Sequence, residues 1–121
     1  MLTKSLSTCK QILAGDRTIL RELLHPARDA AKIGYSVAHA TLEQGTASLP
    51  HRLKTSEVYY FISGQGRMHV DGAITTIGPE KIVYVRPGAV QHVENTGTGE
   101  LVFLCIVDPA WRAEDEEILR D

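Results

Sequence analysis

Residues 45–64 read Gly45-Thr-Ala-Ser-Leu-Pro-His51-Arg-Leu53-Lys-Thr-Ser-Glu57-Val-Tyr-Tyr-Phe-Ile-Ser-Gly64. The run Val58 to Ile62 is aromatic and β-branched, side chains that fit a pleated, half-buried surface, so it reads as a strand. Successive strand residues point to opposite faces, which puts Glu57, Tyr59 and Phe61 on one side. Ser63-Gly64-Gln65-Gly66 then reads as a turn. His51 follows Pro50 and precedes the strand that carries Glu57. An imidazole and a carboxylate brought together in this way suit a divalent metal such as manganese, iron, nickel or zinc.

The same pattern continues outward. Met68-His69-Val70 is a short strand closed by Asp71-Gly72, the strongest hairpin signal in the chain. Ile74 to Ile77 and Ile82 to Val85 are further strands, the latter stopped by Pro87-Gly88. His92-Val93-Glu94 is a short strand ended by Asn95-Thr96-Gly97-Thr98-Gly99, and Leu101 to Val107 is an apolar one. On the N-terminal side, Tyr35 to Leu42 alternates loosely and ends at Gly45. Gly15 to Arg28 reads as a short strand or a turn of helix, because Pro26 prevents a long helix. In the tail, Asp108 could cap a helix with Pro109 at its first position. Its acidic residues suit the start of such a helix and Arg120 its end, with Glu114 to Glu117 as a solvated face. Seven or eight short strands punctuated by turns predict an all-β, antiparallel sandwich or barrel with only terminal helix.

Composition bounds the function. The chain has 121 residues, 43% hydrophobic and 23% charged, with a net charge of −2. That is one domain's worth of soluble globular protein, expected over residues 1–121 with a barrel core at about 35–107. A pI near 6.2 argues against nucleic acid, and against the simplest mode of binding an anionic membrane. No apolar run is long enough to span a bilayer, and the N-terminus makes a poor signal peptide, so a cytoplasmic location is expected. Cys9 and Cys105 match no redox or zinc spacing and are expected as free thiols, Cys105 buried.

The quoted stretch resembles the first motif of the cupin superfamily. That motif is a glycine, five residues, His-x-His, three or four residues, Glu, six residues and Gly. Gly45, His51, Glu57 and Gly64 match it in place. Arg86-Pro87-Gly88-Ala89-Val90-Gln91-His92-Val93-Glu94-Asn95 is similar to the second motif, Pro-x-Gly-x-x-His-x-x-x-Asn. The resemblance covers residues 35–107 and implies a jelly-roll β-barrel and a homodimer, for which Leu2 to Leu24 could supply the contact. It also implies a metal held by two histidines and the glutamate of the first motif and the histidine of the second. Here the second histidine position is Leu53, the second-motif histidine position is Gln91, the leading proline is Arg86, and the early glycine is Glu80. The ligand set carries over as His51 and Glu57, with Gln91 as a neutral oxygen ligand. Alternation favours Gln91 over His92 in the interior unless a bulge shifts the register. Without metal, His51 and Glu57 would hydrogen-bond each other or a ligand.

The other candidates are weaker. Tyr59 could orient a substrate or move a proton together with Glu57. His39 could supply the missing imidazole, although a surface or satisfied strand position is commoner. His69 is expected on the face opposite Met68 and Val70, and His25 in a connecting segment. Arg52, Arg86 and Lys54 are expected to flank the mouth as solvated rim charges, although each arginine could hold a carboxylate or phosphate. Three functions follow. One is a metal-dependent isomerase, decarboxylase or dioxygenase acting on a small polar molecule such as a sugar or organic acid. The second is a non-catalytic ligand-binding module. The third is a structural or partner-binding barrel with a vestigial site.

Overall fold

The computed structural model describes residues 1–119. Eleven strands alternate with tight turns: β1 (Gln11–Leu13), β2 (Ile19–Leu24), β3 (Ser36–Leu42), β4 (His51–Leu53), β5 (Ser56–Ser63), β6 (Gly66–Val70), β7 (Ala73–Ile77), β8 (Ile82–Val85), β9 (Gln91–Asn95), β10 (Leu101–Asp108) and β11 (Glu116–Ile118). They form a six-stranded sheet, β1-β2-β3-β10-β5-β8, and a five-stranded sheet, β11-β4-β9-β6-β7. Every pairing is antiparallel. Sheets with one packed face alternate apolar and polar residues. The inner residues of β5 and β10 do so, with Tyr59, Phe61, Leu101 and Phe103 nearly inaccessible to solvent.

The core fills one end of the barrel. Phe61 and Phe103 pack at 5.3 Å between ring centroids, tilted by 42°. Leu42, Met68, Ile77, Leu101 and Val93 close around them. Two turns depend on left-handed backbone. Asp71 and Gly72 have φ of 48° and 84°, the signature of the two-residue hairpin that joins β6 to β7. Gly64, with φ of 94°, lies where a Cβ would strike the backbone of Glu100 and Leu101. Asn95 ties the closed end together by donating from Nδ2 to the Leu42 and Gly99 carbonyls at 3.0 and 2.8 Å.

The expected central strands form, within a residue or two of their expected ends. The N-terminal segment is a hairpin, β1 and β2, that extends the larger sheet. The tail departs from expectation. Asp108 caps no helix, because it is still paired with Ser56 in the β5–β10 ladder. Helix is limited to two 3-10 turns, Leu6–Thr8 and Ala113–Asp115. Isolated short helices are marginal in water, and the tail instead satisfies its backbone by pairing β11 with β4. The Lys54 amide donates to Asp115 and the Leu119 amide to Pro50. Arg120, expected at the end of a tail helix, lies outside the described residues. Among those residues no helix is long and apolar enough to cross a membrane.

Candidate functional site

The end of the barrel opposite the aromatic core is hollow. A cavity of about 580 Å³ opens there, within the range of small-molecule sites. The two sheets supply its wall by simple register. On β5, Glu57 is cross-strand from Val107, and Tyr59 from Cys105. On β4, His51 is cross-strand from Gln91. Alternation therefore turns His51, Leu53, Glu57, Tyr59, Cys105 and Val107 inward, and all six line the cavity.

His51 is held by its own turn. Its Nδ1 lies 2.8 Å from the Leu49 carbonyl. A carbonyl only accepts, so Nδ1 carries the proton and Nε2 is turned toward the cavity. There Nε2 faces Asp16 Oδ2 at 3.7 Å, beyond hydrogen-bond reach. Asp16 sits in the β1–β2 turn, where Thr18 donates to Oδ1 from its amide at 3.1 Å and its hydroxyl at 2.7 Å. That leaves Oδ2 to face the imidazole. The sequence reading missed Asp16. The cue was Asp16-Arg-Thr18, a side-chain-braced turn between two short strands.

Glu57 is buried, and burial pushes its carboxyl up to about 7, helped by the Asp16 charge and opposed by His51. Glu116, from β11, reaches the same cavity. Burial raises its carboxyl too, with Asp16 adding to the rise and His51 opposing it. Its carboxylate approaches Gly15: a Cβ there would meet Glu116 Oε1 at 3.6 Å. Glu116 was expected on a solvated helical face. As part of an edge strand it turns into the mouth instead. Cys105, expected buried, is partly accessible from the cavity, and desolvation raises its thiol well above the ordinary range. Both cysteines are free thiols.

The Tyr59 hydroxyl donates to Gln91 Oε1, and both side chains are buried. Gln91 faces inward, as alternation favours, and His92 points out, its ring stacked on His69 at 4.0 Å. The amide oxygen expected to hold a metal is thus already an acceptor for Tyr59. Among the described residues, no three His, Cys, Asp or Glu side chains are grouped as metal ligands. With Leu53 apolar and Gln91 engaged, the residues do not fit the four-ligand set that the resemblance implies.

The remaining candidates lie elsewhere. Arg86 pairs with Asp71 at 2.6 Å and Arg52 with Glu117. Neither arginine nor Lys54 lines the cavity; all three are exposed, solvated charges, as expected, but away from the cavity. His39 sits on the outer face of β3, cross-strand from Leu104. His25 is buried and satisfied, with Nδ1 accepting from Ala27 and Nε2 donating to the Trp111 carbonyl at 2.8 Å.

The Cupin domain profile matches residues 38–107. The chain belongs to the cupin family. The cupin is 34% identical to an uncharacterized protein, MJ1618, of Methanocaldococcus jannaschii, over 91% of this chain and 88% of that one. Among solved structures it resembles a Cupin 2 conserved barrel domain protein from Salinispora arenicola. That match has a TM-score of 0.78 and 18% identity, covering 94% of this chain and 91% of that one. It also resembles Pac13 of Streptomyces, described as a unique nucleoside dehydratase, with a TM-score of 0.80 and 17% identity over 99% of this chain and 92% of that one. A predicted oxalate decarboxylase from Thermotoga maritima matches with a TM-score of 0.79 and 21% identity, over 89% of this cupin and 99% of that chain. At these identities the likeness is one of fold, and the barrel it describes carries different chemistries in different members.

Proposed function

We propose that the cavity is an acid–base site for a small polar molecule, with Glu57 exchanging the proton and His51 Nε2 as its partner across the pocket. One observation carries this reading: a buried carboxyl on the cavity wall, raised to about 7, facing the same space as an imidazole nitrogen that makes no hydrogen bond. A group that titrates near neutrality is equally ready to give and to take a proton. The Leu49 carbonyl orients His51, and Asp16 Oδ2 faces its Nε2 at 3.7 Å. Tyr59 is the back wall, and its bond to Gln91 holds the hydroxyl in place. Isomerisation, dehydration and decarboxylation of a small molecule all need such transfers. The similarity in fold to a nucleoside dehydratase and a predicted oxalate decarboxylase supports a barrel of this shape hosting them.

No step is routed through a metal. Elemental analysis of wild type and His51→Ala, after incubation with manganese, iron, nickel and zinc, tests that. Less than a tenth of an equivalent in both is expected. Near one equivalent in wild type, lost in His51→Ala, overturns the acid–base reading in favour of a metal at His51 and Glu57. We also infer that the chain works as a homodimer through the outer face of its six-stranded sheet.

A further inference from the structure

The charge inside the cavity is one-sided. Asp16, Glu57 and Glu116 present three carboxyl groups to it, and among the described residues His51 is the one basic group on the inner wall. The cations that reach the cavity come from its exposed rim, and two of them are already neutralised: Lys4 lies 2.6 Å from Asp29 and Arg28 is paired with Glu22. Lys10 is exposed to solvent. His51 Nε2, on a side chain 97% removed from solvent, faces Asp16 Oδ2 at 3.7 Å and makes no hydrogen bond among the described residues. Phe103, Val107, Val93, Leu53 and Trp111 supply an apolar and aromatic part of the wall beside the hydroxyls of Thr18, Ser36 and Ser48.

An anion entering this space would meet three carboxyl groups, with the imidazole and the rim residue Lys10 as the cations outside ion pairs among the described residues. A cation would draw the raised carboxyls of Glu57 and Glu116 toward their ionised forms and, with Asp16, meet complementary charge at low dielectric, where each interaction is stronger than in water. Its apolar part would cover the half-buried Trp111, and a charged nitrogen near an indole face gains from it. We propose that the cavity takes a small molecule bearing a protonated amine on an apolar body. This rests on the reading of the cavity as the ligand site, and narrows the small polar molecule to one chemical class. It also sets aside the organic acid that the sequence left open.

A matched series on the full chain tests it: 2-phenylethylamine, 2-phenylethanol and phenylacetate. They share one apolar body and differ in charge. Binding is followed by the fluorescence of Trp111, the single tryptophan, and by calorimetry. The amine is expected to bind at least tenfold more tightly than phenylacetate, with the alcohol between them. Glu116→Gln, on an edge strand away from the core, is expected to weaken the amine severalfold and leave the alcohol unchanged. Phenylacetate or phenylethanol binding as tightly as the amine overturns the assignment of class while leaving a ligand cavity in place. Amine binding that Glu116→Gln leaves unchanged also overturns it. No binding by any of the three at millimolar concentration overturns the cavity reading itself.

Discussion

Glu57 is costly where it stands. Its carboxyl is buried beside Asp16 and is raised from 4.5 to about 7, so the folded chain binds a proton there more tightly than the unfolded chain does. The resulting stability is fully present below about pH 4.5 and is lost as pH rises through 7. The loss is on the order of 3 kcal/mol, since one pKa unit corresponds to about 1.4 kcal/mol. Glu57→Gln has no proton to lose. Melting curves from pH 4.5 to 8.5 are expected to show this component of the decline in wild type and not in the variant, with Glu57→Gln the more stable protein at pH 8. Parallel profiles for the two would show that the carboxyl is not perturbed. The sequence placed Glu57, Tyr59 and His51 in one pocket because strand alternation and the motif both point there. Asp16 and Glu116 were not legible. They arrive from the two ends of the chain, by a turn and an edge strand whose pairing depends on tertiary contact.

At the scale of elements, the turns carry most of the local demands. The early glycine of the second cupin motif is Glu80 in this chain, and Glu80 has φ of 71°. A side chain in left-handed backbone costs roughly 1–2 kcal/mol. Glu80→Gly is therefore expected to raise stability by about 1 kcal/mol in denaturant titration, offset in part by the greater freedom glycine has in the unfolded chain. A decrease would mean that the Glu80 side chain makes a contact worth more than the strain. The strands between the turns were readable because period two persists in them. β4 and β11 were not, because three residues are too few to show a period. The tail helix failed for a related reason: capping residues announce a helix only when the chain has left the preceding strand, and Asp108 has not.

At the scale of the whole molecule, the two sheets present different faces to solvent. The outer face of the five-stranded sheet is polar, with Arg67, Glu94 and His69 joined by ion pairs and hydrogen bonds. The outer face of the six-stranded sheet carries Val58, Tyr60 and Ile62 on β5, Ile82 and Tyr84 on β8, and Val102, Leu104 and Ile106 on β10. Ile82 and Tyr84 are about two-thirds exposed. Asp108, at a strand end, is the one charged outward residue on these three strands. A two-fold contact places a surface against itself, and an uncharged apolar face can do that without repulsion. Sedimentation is expected to give twice the chain mass of 13.3 kDa, falling to the monomer in Tyr84→Glu. A monomer at every concentration excludes the dimer. A dimer that survives Tyr84→Glu but not removal of residues 2–13 moves the contact to the N-terminal segment.

His51 and Leu53 share the inward side of β4, and Gln91 lies directly across the ladder from His51. Through the family resemblance, these are positions of the four-ligand metal set. Only two of its members are absent here, at Leu53, which lines the cavity, and at Gln91, which faces inward against Tyr59. Two substitutions, Leu53→His and Gln91→His, would therefore complete the ligand set that the resemblance implies. Gln91→His would also take from the Tyr59 hydroxyl its present acceptor, so completing the set unsettles the wall that Tyr59 forms.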